Sequence, residues 1–397
     1  MRCEIQQLLR KRRGDEADMF GRRKPKIRLL TSAAAFPRGA FRAKEAARST
    51  SLFRIAASDF LSALALVLLI WQSRFAALRL VLILGFLPAS YAAEQGNAGT
   101  NTVLLFSFFR GNGEDGLHLA WSCDGLRWTE LKSPTGKSFL EPRVGGRLMR
   151  DPCLHLGPDG TFRLVWTTSW RRPTAFGYAS SKDLLEWSEP RAIPVLDNEP
   201  TAENVWAPEL YYDAARAQWL IFWSTTIAGR FPETAGGGDH NHRIYFTTTK
   251  DFETFAPAKL FYDGGFNVID ATLLAANGTF YLIVKDETRN PLKKNLRIAT
   301  ADKPEGPFGP ASQPISTNNW VEGPSAVQIG DQFYIYFDHY SKPQYYGAVK
   351  STDLRHWQDI SQQVSLPQGA RHGTVLKVPE TIINRIRTLP THTTEEP

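Results

Sequence analysis

The chain has 397 residues, of which 42% are hydrophobic, and it carries 47 Lys and Arg side chains against 40 Asp and Glu. A chain of this length and apolar content can bury a large core, so disorder, a collagen helix and a small disulfide-stabilised scaffold are excluded. Residues 1–92 hold 17 basic and 6 acidic side chains, which leaves 30 basic and 34 acidic ones beyond them, a net charge of −4 that indicates no nucleic-acid partner for the folded part.

Residues 59–92 have the pattern of a secretory signal. Arg74 and Arg79 precede a short apolar run, and the small residues Ser90 and Ala92 follow it, as they do at a cleavage site. The pattern predicts a secreted or periplasmic protein with no stable membrane insertion after cleavage. A membrane anchor is the alternative, although each arginine within the apolar stretch would cost a few kcal/mol at the bilayer centre.

The mature chain is expected to begin near Ala93, so that residues 93–397 form the folded domain. Residues 1–58 are rich in Arg, Ala and Ser and show no apolar period. They are interpreted as a disordered leader or an over-extended start, and they are left out of the fold prediction.

Beyond Ala93, short runs of β-branched and aromatic residues predict an all-β chain. A turn motif of the type Ser-x-Asp or Thr-x-Asp recurs along the chain. Trp or Phe follows the aspartate after four residues in four copies and after six residues in a degenerate one. Its aspartates are Asp124, Asp183, Asp251, Asp302 and Asp353. The intervals of 59, 68, 51 and 51 residues each have room for four short strands. Five such units predict a five-bladed β-propeller, because a β-sandwich would not explain a near-constant four-strand period.

The first unit, Val103 to Leu131, has three predicted strands and lacks an inner one. An unpartnered strand pattern, Arg371 to Val378, follows the last unit. We therefore predict that strands from both ends of the domain close one blade and lock the ring.

In a propeller the first strand of each blade lines the central channel. These strands are predicted to begin at Arg150, Val205, Val268, Val321 and Arg371. Four of the five place a carboxylate near their start, and these are Asp151, Glu209, Asp270 and Glu322. Carboxylates crowded into one channel raise each other's pKa, an arrangement typical of acid and base catalysis.

Short motifs around these carboxylates resemble those of glycoside hydrolase family 43 and its relatives with five-bladed propellers. The motifs are Arg-Asp-Pro at 150–152, Trp-Ala-Pro-Glu at 206–209, Val-Ile-Asp-Ala at 268–271 and Glu-Gly-Pro at 322–324. They occur in order, one per predicted inner strand, and the resemblance covers about Asn101 to Val378.

The resemblance implies an inverting hydrolysis by three acidic residues. Asp151 would be the general base that activates water, and Glu322 the general acid that protonates the leaving oxygen. Asp270 would orient the acid and keep its pKa high. Inversion needs two carboxyl groups about 6.5 to 9.5 Å apart, which opposite sides of a narrow channel can supply.

Sugar rings need aromatic platforms with polar neighbours. Substrate-binding side chains are predicted at Asn204, Trp206, Glu209, Lys285 and Arg371. Glu209 departs from the Asp that the family usually has at this position. Trp170 and Trp320 stand next to strand ends as weaker candidates. His372 resembles the central histidine that supports a calcium ion through water in parts of the family, and a hydrogen-bonded structural histidine is the alternative; no cofactor is otherwise required.

The family's range of substrates suggests an exo-acting enzyme on arabinofuranosyl or galactofuranosyl residues of a polysaccharide, working as a monomer. Two alternatives stay open. A retaining propeller glycosidase of the fructan type would usually carry Asn-Asp-Pro where this chain has Arg150-Asp151-Pro152. A noncatalytic sugar-binding propeller would not need all three acidic residues.

Overall fold

The computed structural model describes residues 101–235 and 240–390. The predicted leader (1–58) and signal (59–92) therefore lie outside the described residues. Within them the chain forms strands, two 3-10 turns at Pro232–Thr234 and Ser361–Gln363, and one α-helix, α1 (Glu380–Thr388). None of the helices in these two ranges is long and apolar enough to span a membrane.

The strands follow one another with short connections. In chain order they are β1 (Thr102–Phe109), β2 (His118–Ser122), β3 (Thr129–Leu131), β4 (Arg150–Leu156), β5 (Phe162–Thr167), β6 (Ala175–Ser181), β7 (Arg191–Pro194), β8 (Trp206–Asp213), β9 (Gln218–Thr225), β10 (Arg243–Thr249), β11 (Lys259–Tyr262), β12 (Val268–Ala276), β13 (Thr279–Asp286), β14 (Asn295–Ala301), β15 (Val321–Ile329), β16 (Gln332–His339), β17 (Tyr345–Ser351), β18 (Gln358–Asp359) and β19 (Arg371–Pro379).

These strands form five antiparallel sheets arranged as the blades of a propeller, which confirms the predicted fold. The sheets have the orders β19-β1-β2-β3, β4-β5-β6-β7, β8-β9-β10-β11, β12-β13-β14 and β15-β16-β17-β18. β19 pairs with β1 along nearly its whole length, with Thr102 opposite Pro379 and Val103 opposite Val378. Strands from both ends of the domain therefore close the ring, as predicted.

The blade of β12, β13 and β14 has three regular strands where four were predicted. The segment after β14 still follows that strand through three backbone hydrogen bonds, from Gly309, Ser312 and Ile315. Pro310 and Pro314 interrupt this segment. Because proline has no N–H to donate, the fourth strand position is filled by an irregular chain.

The repeated aspartate fixes the turn after the third strand of four blades. Asp183 is representative: its Oδ1 accepts hydrogen bonds from the backbone N–H groups of Leu185 and Glu186, each 3.0 Å long. The intervening residue, Leu184, has a left-handed φ of 66° and a buried side chain. Asp124, Asp251 and Asp353 bind their turns in the same way. The motif therefore repeats because these four blades need the same capped turn.

Helix α1 was not predicted, since its nine residues give too few turns for a clear apolar period. Its buried Ile383 and Ile386 belong to the same hydrophobic cluster as Val103 and Leu105 of β1. The helix therefore covers the blade that the two chain ends close.

Candidate active site

A cavity of about 1190 Å³ lies where the inner strands β4, β8, β12, β15 and β19 begin. Seven of the predicted site residues line it: Asp151, Trp206, Asp270, Lys285, Glu322, Arg371 and His372. The structure thus brings the three predicted catalytic carboxylates into one cavity. Their chemical roles remain predictions.

A common backbone feature opens four of these inner strands. The pairing register shifts at the start of β4, β8, β12 and β15, as it does at a β-bulge. One residue of each bulge has a left-handed φ, between 46° and 58°: Asp151, Ala207, Asp270 and Gly323. Short polar side chains and glycine tolerate this conformation best. The bulges place Asp151 and Asp270 at equivalent positions of two blades.

Asp151 is held by two neighbours. Thr167 Oγ1 donates a 2.7 Å hydrogen bond to Asp151 Oδ2 and itself accepts one of 2.7 Å from the N–H of Ala207. His372 Nδ1 lies 3.2 Å from Asp151 Oδ1. Burial opposes ionisation of Asp151, but the charge of His372, its hydrogen bond and the charge of Arg150 together hold the pKa well below its usual range. Asp151 is therefore a carboxylate at neutral pH.

The surroundings of Asp270 shift its pKa in the opposite direction, upward. Burial, and after it the nearby carboxylates of Glu322 and Asp151, raise the pKa of Asp270 to about 6 against the opposing charges of His372 and Lys285. Its Oδ2 accepts a 3.1 Å hydrogen bond from the N–H of Gly323. Since Gly323 directly follows Glu322, Asp270 fixes the backbone that carries the predicted acid.

Glu322 forms ion pairs with two cations, one at each carboxylate oxygen. Lys285 Nζ lies 3.1 Å from Oε2, and Arg371 Nη2 lies 3.2 Å from Oε1. Arg371 also pairs with Asp338, whose side chain is fully buried and whose pKa is raised by burial and by the charge of Glu322. Lys285 and Arg371 thus position the acid, and both were predicted as substrate-binding residues.

His372 lies between the two aspartates, with Nδ1 4.0 Å from Asp270 Oδ2 as well as close to Asp151. Burial lowers its pKa, but the charges of Asp151 and Asp270 outweigh that effect and raise the pKa to about 9. Gly323 makes room for the ring, because a Cβ there would lie 2.3 Å from the His372 ring. At neutral pH His372 is therefore a buried imidazolium that lies close to both aspartates.

This arrangement predicts a stability that falls at alkaline pH. A folded pKa of about 9, above the ordinary value of 6.5, gives a stabilisation that is fully present below pH 6.5 and is lost as the pH rises through 9. We expect the free energy of unfolding to fall by about 3 kcal/mol over this range on account of His372. Urea denaturation of the parent and of His372→Gln at pH 6.5, 8 and 9.5 measures it.

His356→Gln is the matched control, because the His356 side chain is 90% exposed. We expect the control to keep the pH dependence of the parent and His372→Gln to lose most of it. An equal slope in His372→Gln and the parent would contradict a charged His372.

His372 makes the contact expected of a structural histidine, because its Nδ1 is directed at Asp151 in an ion pair. A calcium ion supported by His372 through water stays a prediction. In the part of the chain that the structure describes, no group of three or more His, Cys, Asp or Glu side chains is arranged to hold a metal ion.

An aromatic wall forms one side of the cavity. The rings of Trp206 and Trp170 meet edge to face with centroids 5.7 Å apart, and Trp206 Nε1 donates to the carbonyl oxygen of Trp170. His240 and His242 each lie 5.0 Å from the Trp206 ring. Trp206 therefore has the position predicted for a platform, and Trp170 extends it with a side chain that is 49% exposed.

Several residues of the cavity were missed by the sequence argument, and most come from loops. Glu287 bridges Lys285 and Lys294, both of which line the cavity. The ring of Tyr340 lies 4.5 Å from Lys285 Nζ. Asn112, Thr167, His242, Asn267 and Arg289 also line the cavity.

Two predicted substrate-binding residues lie elsewhere. Asn204 is fully buried outside the cavity lining, and its side chain binds the backbone of Ser224 and Thr226. Glu209 is also buried outside the lining, where hydroxyl groups of Thr272 and Thr374 contact its carboxyl group and burial raises its pKa to about 7. The structure therefore does not bring these two side chains into the cavity lining. Glu209 joins the inner strands β8, β12 and β19, and Asn204 links the residues before β8 to the end of β9.

The chain is similar to several known proteins. An α-L-arabinofuranosidase of Bifidobacterium longum subsp. longum is 25% identical over 116 residues, which are 27% of this chain and 11% of that protein. The chain thus spans about a tenth of the length of the curated relative it matches. Among solved structures, an α-L-arabinofuranosidase of Lactobacillus brevis is 16% identical, with a TM-score of 0.44 over 53% of this chain and 72% of that one.

The catalytic domain of a GH62 α-L-arabinofuranosidase of Coprinopsis cinerea is 13% identical, with a TM-score of 0.42 over 56% of this chain and 71% of that one. The assignment itself rests on a family model, described as a probable glycosyl hydrolase domain and related to family 43, that matches residues 101–382. Because this match covers most of the chain, the protein belongs to the glycosyl hydrolase 43-related family.

Proposed function

We propose that the protein hydrolyses glycosidic bonds of an oligo- or polysaccharide with inversion of configuration. The observation that carries the proposal is the convergence of Asp151, Asp270 and Glu322, from three different inner strands, on one cavity with an aromatic wall. A structural channel alone would not require several carboxylates in one confined space.

In the proposed reaction, Asp151 accepts a proton from water as the water oxygen forms a bond to the anomeric carbon. The bond from that carbon to the leaving oxygen breaks, and Glu322 gives its proton to the leaving oxygen. The low pKa of Asp151 keeps the side chain in the carboxylate form, which is the form that can accept a proton. Asp270 acts as a positioning residue, since it holds the N–H of Gly323 next to the acid.

The proposed substrate is a terminal arabinofuranosyl or galactofuranosyl residue. Support for the arabinofuranosyl group comes from the name of the Bifidobacterium relative, an α-L-arabinofuranosidase. Trp206 and Trp170 supply the apolar surface that the C–H face of a sugar ring needs.

Proton NMR of the first sugar released from nitrophenyl furanosides tests the proposal. We expect the first product to have the configuration opposite to that of the substrate, followed by mutarotation. Retention of configuration would instead favour the fructan-type mechanism. No turnover of any furanoside or pyranoside tested would favour a noncatalytic sugar-binding propeller.

We also propose that the protein is secreted, that its signal is cleaved near Ala93, and that the mature protein acts as a monomer. The signal-like pattern of residues 59–92 supports secretion. N-terminal sequencing and light scattering of the exported protein are expected to give a start near Ala93 and the mass of one chain. Recovery of an uncleaved chain in the membrane fraction would show an anchor instead.

A further inference from the structure

The lining of the cavity has more Lys and Arg side chains than Asp and Glu side chains. Six Lys and Arg side chains line it against four Asp and Glu side chains. Lys285, Lys294 and Arg371 each pair with a carboxylate. The other three cations, Arg150, Arg171 and Arg289, have no ion-pair partner among residues 101–235 and 240–390.

Arg150 is held rigidly although it has no carboxylate partner. Its guanidinium lies 4.2 Å from the ring centroid of Trp170 and 4.7 Å from that of Phe109. Nη1 donates a 3.2 Å hydrogen bond to Asn112 Oδ1, which also accepts a hydrogen bond from Trp170 Nε1. One of the five N–H donors of Arg150 is used in this way, and the others are left for a ligand.

A guanidinium fixed in advance between two rings loses little conformational entropy when it binds an anion. Its planar fork matches the two oxygens of a carboxylate. Trp170, half-exposed beside it, offers a surface for the sugar ring that carries the anion, and Arg171 follows directly in the chain. We propose that the glycan bound in this cavity contains a hexuronate, whose carboxylate is bound by Arg150.

Arg150 has a second effect, because its charge also lowers the pKa of Asp151. His372 supplies a larger part of that effect and contacts Asp151 directly. The rings of Phe109 and Trp170 and the hydrogen bond to Asn112 hold the guanidinium beside Trp170. Lowering the pKa of Asp151 would not require these contacts, so we assign Arg150 a second role in binding.

Calorimetric titration of the full chain with matched ligand pairs tests the proposal. The probes are glucuronate- and galacturonate-containing disaccharides, their methyl esters and a 6-sulfated neutral disaccharide. For each acid that binds, we expect the Kd to be at least about tenfold lower than the Kd of its methyl ester. This preference should shrink as salt is raised. Tighter binding of the sulfated sugar than of the uronates would assign the site to sulfate and overturn the hexuronate.

Arg150→Gln is expected to bring the affinities for acid and ester together, and Arg150→Lys to restore part of the difference. Arg171→Gln, at an exposed side chain without a partner among the described residues, should reduce the difference without affecting folding. Arg143→Gln is the control, because Arg143 is an exposed arginine outside the cavity lining and should leave the difference unchanged. Thermal melting of each variant checks that it is folded.

Equal affinity for acid and ester in the parent, or binding of none of the acids, would overturn the proposal. So would an unchanged preference in Arg150→Gln, which would leave Arg150 as a neighbour of Asp151 only. The proposal rests on the proposed glycan-binding function but has its own readout. Turnover of neutral nitrophenyl glycosides without an acid preference would refute only the hexuronate, and an acid preference without any turnover would refute only the hydrolysis.

Discussion

Glu322→Gln is expected to lower kcat/KM by about 10²- to 10⁴-fold on glycosides with sugar or alkyl leaving groups, and by much less on nitrophenyl glycosides. A poor leaving group needs the proton that glutamine cannot give, whereas nitrophenolate leaves without it. The fold should survive, because Lys285 still has Glu287 as a partner and Arg371 still has Asp338. Steady-state kinetics with both substrate types measures the difference.

Asp151→Asn provides the contrast, because water must be activated for either leaving group. We expect similar losses, of about 10²- to 10⁴-fold, with both substrate types. Glu253→Gln is the control for the loss of one carboxylate, since Glu253 forms an exposed ion pair with Arg191. Equal losses for both leaving groups in Glu322→Gln would mean that Glu322 acts through its charge beside Lys285 and Arg371 and is not the acid.

The ring and the three carboxylates were predictable because each rests on a pattern that repeats in every blade. The aspartate of the repeated turn must accept hydrogen bonds from the two backbone N–H groups that follow, so its spacing gives the length of a blade. Each turn after the first is preceded by a pair of hydrophobic strand patterns, and an inner strand pattern precedes that pair. Asp151, Asp270 and Glu322 could therefore be placed at the mouth of the channel without knowledge of any contact.

Asn204 and Glu209 lie outside the cavity lining for two different local reasons. Asn204 precedes β8, and its amide group binds the backbone of Ser224 and Thr226. Glu209 follows a bulge that begins at Trp206. A bulge that re-aims one side chain changes which of its neighbours face the cavity. Four of the inner strands share this feature, but its left-handed residues, such as Ala207, carry no clear signal in the sequence.

The remaining wall of the cavity could not be predicted, because it comes from loops without a repeat. Asn112 lies between β1 and β2, and Glu287 follows β13. Their contacts with Arg150 and Lys285 depend on the path of each loop, and a loop has no sequence periodicity from which its path could be predicted. The ion pair of His372 with Asp151 likewise depends on the missing Cβ of Gly323.

Deletion of the chain from Gly369 onward is expected to unfold the domain. The deletion removes β19, the inner strand that pairs with β1, and leaves the edge of β1 and its buried side chains exposed. It also removes Ile383 and Ile386 from the core of the same blade. The lost burial of several apolar side chains, at about 1.5 to 3 kcal/mol each, is comparable to the whole stability of a domain, about 5 to 15 kcal/mol.

A circular permutant separates the loss of the strand from the loss of chain length. Residues 369–390, joined by a flexible linker to the N-terminal side of residue 101, would return β19 to β1, because Pro379 stands opposite Thr102. We expect circular dichroism and thermal melting to show an unfolded truncated chain and a permutant that regains cooperative melting. A truncated chain that melts like the parent would contradict closure by both ends, and so would a permutant that stays unfolded while the parent, purified in the same way, is folded.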